Sequence, residues 1–405
     1  MADPTIYLDN NSTTRPSTAA REAVARTLDT AWHNPSSVHR PGQAARHEIE
    51  LARASVARLI NCRPRELIFT SGGTESIELA VRGLIAAADR PVLVKSDIEH
   101  AAVRDLIEML GDACEVRATP LDGDGVIDAE ASAELLDGAT LACLQWANNE
   151  TGAIQPIGAL GRACRAAGVP LVVDGTQWVG KMPTDLGTGV GLGIGSGMGE
   201  GDDSDDAGGL IDAMAFAAHK LHGPKGVGAL FVRRGTRLGS VRPGSQELGR
   251  RGGTENVPGI AGFGAACEEA ATFLADSEER VRLGALRDRL ERGILERCPA
   301  ASVNGPTSPG ARLWNTSSIG FRGLEAEALL LLLSERGVCA SAGAACSSGS
   351  LEPSPVLLAM GIDPAVAHGS IRLSLSRWTT EDEIDRAVEI VASSAEALGA
   401  SLPTG

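Results

Sequence analysis

Lys220 follows an apolar run, Ile211, Ala213, Met214, Ala215 and Phe216, in the stretch FAAHKLHGPKGVG (216–228). A lysine at the end of a buried strand is poorly placed for a charge. Desolvation favours the neutral amine, which attacks carbonyls to form a Schiff base. The same local pattern also suits a surface lysine in a hairpin. Gly223-Pro224-Lys225-Gly226 is a turn, and a second apolar run, Val227 to Val232, follows it.

Other chemistry-bearing residues are scattered along the chain. Asp174 closes the apolar run Leu171-Val172-Val173. A carboxylate there needs a cation, and a protonated ring nitrogen of a ligand would serve. Gln177, three residues on, is within reach of the same ligand. His100 follows Glu99 at a strand-to-helix turn, where it is either a capping-region histidine or a functional one. Ser71-Gly72-Gly73-Thr74-Glu75 opens a helix after a buried strand, offering N–H groups and a hydroxyl to a phosphate. Arg372, in Ser370 to Leu375, is either a carboxylate clamp or an outward-facing strand residue. Cys346 lies among small residues, 342–350, which suits a mobile loop with an accessible thiol. Cys339 reads as a buried strand cysteine, and the other six cysteines as core or neutral positions.

The elements that must hold these residues alternate. Short strands are predicted at 67–70, 91–95, 115–119, 140–146 and 171–173, with helices at about 74–84, 101–110, 129–136 and 157–167. Alternation of this kind builds βαβ units and a largely parallel sheet, with ligands at the carboxyl ends of the strands. Thr74, His100, Asn149, Asp174, His219 and Lys220 all fall just past such ends. A long helical region from about 259 to 297 leads into a smaller α+β portion. The expected division is an N-terminal segment (1–15) packing with the small domain, a large domain (16–258) and a small C-terminal domain (259–405) carrying the Cys346 loop.

The stretch 187–209 breaks this pattern with alternating glycines and an acidic cluster. Its glycines fall on odd positions from 187 to 201, so GxGxxG is never satisfied, and no Walker A is present. It reads as a flexible, solvated insertion.

Composition limits the function. With 405 residues, 43% hydrophobic and 22% charged, the chain has ample material for a large core and more than one domain. A formal charge of −15 argues against nucleic-acid and anionic-membrane partners. The opening MADPTIYLDN has no basic n-region or apolar h-region, and the eight cysteines include no CxxC pair. A cytoplasmic location, reduced thiols and no metal site are expected.

Ten stretches together resemble the cysteine desulfurases, a branch of the class V aminotransferase group within the fold type I pyridoxal-phosphate enzymes. They are YLDNNSTT (7–14), NPSSVH (34–39), IFTSGGTES (68–76), EHAAV (99–103), NNETG (148–152), VDGTQWVGK (173–181), HKLHGPKGVGAL (219–230), RRGGTEN (250–256), AACSSGSLEPS (344–354) and SIRLSLSRWTTEDEID (370–385). They run end to end in the family's order.

The resemblance implies a fold type I transferase with a large, mostly parallel domain and a smaller α+β domain. It implies pyridoxal 5'-phosphate carried on Lys220. Asp174 would hold the ring nitrogen, Gln177 the phenolic oxygen, and His100 would stack on the ring. Gly73, Thr74 and His219 would bind the phosphate, with Thr254 arriving from the partner subunit of a homodimer. Asn11, Asn149 and Arg372 would hold the substrate, L-cysteine. Cys346 would be the nucleophile, on a long loop typical of one subgroup, passing sulfur to an iron–sulfur scaffold or other acceptor protein. Ala217 stands where the family has a phosphate-binding hydroxyl. Losing one such bond costs about 0.5–1.5 kcal/mol, or up to roughly tenfold in affinity. Loop 243–254 also departs from the family's pattern. A selenocysteine lyase, another class V enzyme or a weakly active regulatory paralogue fit parts of the pattern too.

Overall fold

A computed structural model describes residues 5–187, 208–342 and 352–401. Cys346 and most of the Gly-acidic stretch lie outside these described residues.

Seven strands form the central sheet, in the spatial order Leu67–Thr70, Gly228–Val232, Ala213–Ala217, Leu171–Asp174, Leu141–Gln145, Val92–Lys95 and Glu115–Ala118. Gly228–Val232 runs antiparallel to both neighbours, and the remaining strands share one direction. Its reversal is the hairpin anticipated after Lys220. Five of the strands are buried along their whole length, as their unbroken apolar runs require. Glu115–Ala118 is an edge strand, and its exposed Glu115 and half-exposed Arg117 suit that place.

The C-terminal part holds a four-stranded antiparallel sheet in the order Ser341–Ala342, Ser370–Ser374, Thr316–Phe321 and Ala301–Val303. Helix Glu381–Ser401 packs against Ser277–Arg297 and Ala326–Glu335. The N-terminal strand Ile6–Tyr7 pairs in parallel with Val338–Cys339, which ties the start of the chain to this part. Cys339 is on that strand but only partly buried.

The expected single helical region is two helices. Val257–Ala275 ends at Asp276, whose carboxylate accepts from Glu279 N at 3.0 Å and caps Ser277–Arg297. The first helix lies against Thr18–Thr30 and Arg40–Leu59 of the large part, and the second against Glu381–Ser401 of the small part. The chain therefore changes packing partners at Asp276.

Candidate active site

One cavity, with about 770 Å³ of space including its open mouth, lies at the carboxyl ends of the parallel strands. Thr74, His100, Asn149, Asp174, His219 and Lys220 line it together, with Gly73 and Gln177 beside them. The sequence alone placed each of these past a strand end, and the sheet brings them to one place.

Lys220 ends a short 3₁₀ turn, Ala218–Lys220, that follows strand Ala213–Ala217. Its Nζ donates to the main-chain oxygens of Asn11 and Ser12, the latter at 2.9 Å. His219 Nδ1 lies 3.3 Å from Thr13 Oγ1. Burial and the positive charge of Lys220 push the His219 imidazole down to about 4, so it is neutral at pH 7.

His100 caps its helix and also lines the cavity. Its Nδ1 accepts from Ala102 N at 3.1 Å, capping helix Ala101–Leu110. Acceptance at Nδ1 leaves the proton of the neutral ring on Nε2. Burial holds its pKa below the usual histidine range; Asp174 opposes this and Lys220 reinforces it.

Asp174 is 6% exposed, and its Oδ1 accepts from Thr176 N at 2.9 Å. It forms no salt bridge with any described residue. Such a carboxylate suits a cationic ring nitrogen. Gln177 Nε2 donates to Asn11 O at 2.9 Å. Helix Gly73–Ile85 has Gly72 at its N-cap with no side-chain bond, leaving its first N–H groups to an anion. Asn149 Oδ1 and Thr176 Oγ1, both on cavity-lining residues, are buried without a partner. A Cβ at Gly73 would sit 2.9 Å from Thr176 Oγ1, so this wall is closely fitted around a residue without a side chain. These features fit a flat, phosphorylated, nitrogen-bearing cofactor. Ala217 lines the same wall without a hydroxyl.

The remaining expected residues lie elsewhere. Arg372 is 2% exposed and sits behind Ser12, donating to Ser12 Oγ at 2.6 Å, Asp9 Oδ1 at 2.9 Å and Asn149 O at 2.9 Å. Asn11 is also behind the cavity wall, with Nδ2 donating to Thr316 Oγ1 at 2.9 Å. Thr254 is exposed, on a loop outside the cavity. Burial pushes up the thiols of all seven described cysteines, 62, 114, 143, 164, 267, 298 and 339.

Three residues escaped the sequence reading. Ser12 and Thr176 line the cavity from motifs that were noted only as motifs. Lys181 is the third, a buried lysine among Trp178, Val179 and Met182. Its apolar neighbours were the available signal.

The sequence profile of the aminotransferase class-V family matches residues 6–190 and 206–387. The unmatched interval falls inside the Gly-acidic stretch, so that stretch is an insertion relative to the family. A cysteine desulfurase of Cereibacter sphaeroides is 43% identical over 99% of this chain and 98% of its own. A solved NifS-like protein superposes with a TM-score of 0.83 at 32% identity, covering 96% of this chain and 98% of that one. A structure of SspA in complex with cysteine gives 0.76 at 28% identity, covering 93% and 100%. The chain belongs to the class-V aminotransferase family, in its cysteine desulfurase branch. Its architecture is that of the fold type I enzymes.

Proposed function

We propose that the protein is a pyridoxal-phosphate-dependent cysteine desulfurase: L-cysteine and the Cys346 thiol become L-alanine and a Cys346 persulfide. The observation that carries this reading is the convergence of Lys220, Asp174, Gln177, His100 and an open helix N-terminus on one cavity.

Bound pyridoxal phosphate would supply an electron sink for the substrate's Cα. Lys220 holds the amine that carries the group and moves the Cα proton. Asp174 keeps a ring nitrogen protonated, and Gln177 donates to the phenolic oxygen. Thr74, Gly73 and the N–H groups that follow take the phosphate. His219, neutral at pH 7, donates to it rather than adding charge. His100 has a protonated Nε2 for the ring face and for proton transfer. Asn149 offers an unpaired amide oxygen to the cavity, and Arg372, donating to the Asn149 main-chain oxygen and to Ser12, braces that side of the site from behind the wall. Raised pKa values at the other seven cysteines support giving the nucleophile's role to Cys346. We further read the protein as a cytoplasmic homodimer in which the partner supplies Thr254. The persulfide then passes to an iron–sulfur scaffold or other acceptor. No described helix is long and apolar enough to cross a membrane.

The test is direct. Purified, cofactor-loaded protein is incubated with L-cysteine and a reductant, and alanine and sulfide are measured. Both are expected in equal amounts. Lys220→Ala should lower alanine formation by at least about 10³-fold, the scale of removing a covalent catalyst. Cys346→Ala should abolish sulfide release. A loaded enzyme that makes no alanine sinks the proposal. A Cys346→Ala variant that still releases sulfide at the full rate removes that residue from its role.

A further inference from the structure

Lys181 is 5% exposed and pairs with no carboxylate among the described residues. Its Nζ donates to two amide oxygens, Asn11 Oδ1 at 2.8 Å and Gln177 Oε1. Burial, with the nearby charges of Lys220 and Arg372, holds its pKa well below the usual lysine range. A buried cationic or amine group without an anion is costly, so the contact it makes is informative.

A lysine head group in this setting donates hydrogen bonds. A side-chain amide facing it must turn its oxygen inward and its NH₂ outward. Gln177 obeys this rule, since its Nε2 points away from Lys181 and donates to Asn11 O at 2.9 Å. One N–H of that group serves Asn11, and because Gln177 also lines the cavity, the second N–H is the donor it has left to offer there. Asn11 is oriented in the same way, with Oδ1 on Lys181 and Nδ2 on Thr316 Oγ1. The Asn11 main-chain oxygen also accepts from Lys220. The turn that delivers Lys181 is closely fitted. Gly180 has φ +81°, and a Cβ there would lie 2.6 Å from Leu221 Cβ, on the residue after Lys220.

We propose that Lys181 is a positioning residue: by donating to Gln177 Oε1 it fixes the amide so that Nε2 presents a donor to the cavity. It also ties that amide to the Asn11 segment that holds Lys220. The proposal rests on the reading that pyridoxal phosphate binds here with its phenolic oxygen at Gln177. A donor keeps that oxygen anionic and weakens its hold on the proton at the Lys220 linkage. Loss of the donor therefore moves the pH midpoint of the bound cofactor's visible band upward.

The experiment titrates that band in the loaded wild type, Lys181→Met, Gln177→Met and the double variant. Lys181→Met is expected to raise the midpoint by about one unit or more, the scale of one hydrogen bond to a charged group. Gln177→Met should raise it at least as far, and the double variant should match Gln177→Met alone. An unshifted Lys181→Met beside a shifted Gln177→Met overturns the role of Lys181 and leaves the cofactor reading intact. Additive shifts overturn it as well, since Lys181 would then act by its charge and not through Gln177. An unshifted Gln177→Met overturns the Gln177 contact itself and the inference with it. Where Lys181→Met fails to fold by thermal melt, Lys181→Gln takes its place. Its amide can donate or accept, so it no longer holds Gln177 one way. A partial upward shift is expected, and no shift overturns the proposal.

Discussion

Glu99 sits beside the residue that caps the helix at the cavity, and it is completely enclosed. Its Oε1 accepts from Ser96 Oγ at 2.5 Å and Gln145 N at 3.1 Å, and its Oε2 has no partner. Burial, aided by the charge of Asp174, pushes its pKa up to about 8. A carboxyl raised in the folded state contributes stability below its unfolded pKa and loses it as pH climbs to the folded value. For Glu99 that window runs from about 4.5 to about 8. Each unit is worth about 1.4 kcal/mol, so the window spans about 3–5 kcal/mol. Glu99→Gln keeps the Oε1 acceptor and cannot ionise. Denaturant melts at pH 5 and pH 8.5 should show the variant gaining on the wild type by a few kcal/mol at the higher pH. An equal difference at both pH values would show that Glu99 ionises freely in the fold. His222 works in the other direction. Burial and Arg377 push it down to about 4, so its contribution is lost as pH falls below about 6.5.

At the scale of elements, the hairpin return after Lys220 and the phosphate-ready helix are fitted to each other. A Cβ at Gly228 would lie 2.7 Å from Gly72 Cα and 2.8 Å from Phe216 O. Both contacts are backbone, so neither side can yield cheaply. Gly228→Ala is expected to cost about 1–3 kcal/mol in a thermal melt. It should also loosen the helix N-terminus that Gly72 opens, and so speed loss of cofactor during gel filtration. Normal retention at full stability would disprove this coupling. The loop ahead of Thr254 has its own anchor. Glu247 accepts from Arg53 at 2.7 and 2.9 Å and from Phe69 N at 2.9 Å. Glu247 and Leu248 both take positive φ, 47° and 59°. The altered loop pattern seen in the sequence thus includes a strained, exposed Leu248 next to a buried ion pair.

For the molecule as a whole, three segments meet at Arg372. The N-terminal Asp9 pairs with it at 2.9 Å, Asn149 of the large part accepts from it, and Arg372 itself lies in the small part's sheet. Asp9→Asn keeps a hydrogen bond but removes the charge from a buried arginine's partner. A loss of about 1.5–3 kcal/mol in denaturant melts is expected, with faster proteolysis ahead of Thr14. An unchanged midpoint would mean that Arg372 is sufficiently held by Ser12 and Asn149.

Much of this plan was legible in the chain. Apolar runs ending in Asp174 or before His219 and Lys220 marked strands by composition and ligand positions by their polar ends. What was hidden depended on packing between distant segments. Nothing local says that Asn11 turns its main-chain oxygen to Lys220, or that Lys181, marked only by its apolar neighbours, reaches Gln177. The break at Asp276 is hard to read locally because Val257–Ala275 and Ser277–Arg297 are both good helices with one short cap between them. Only their partners tell them apart.

The parallel pairing of Ile6 with Val338, and the bridge of Asp9 to Ser374, set an order of events during synthesis. The ribosome delivers the N-terminus first. Its partners emerge only when most of the chain has been made. The seven strands between Leu67 and Val232 need neither and are free to assemble early. The Asn11 and Ser12 segment that seats Lys220 is held on one side by Gln177 and Lys181 and on the other by the late-emerging Ser374. The Lys220 seat therefore gains its second anchor only when translation is nearly over, and on the proposed function cofactor capture is expected of the finished protein.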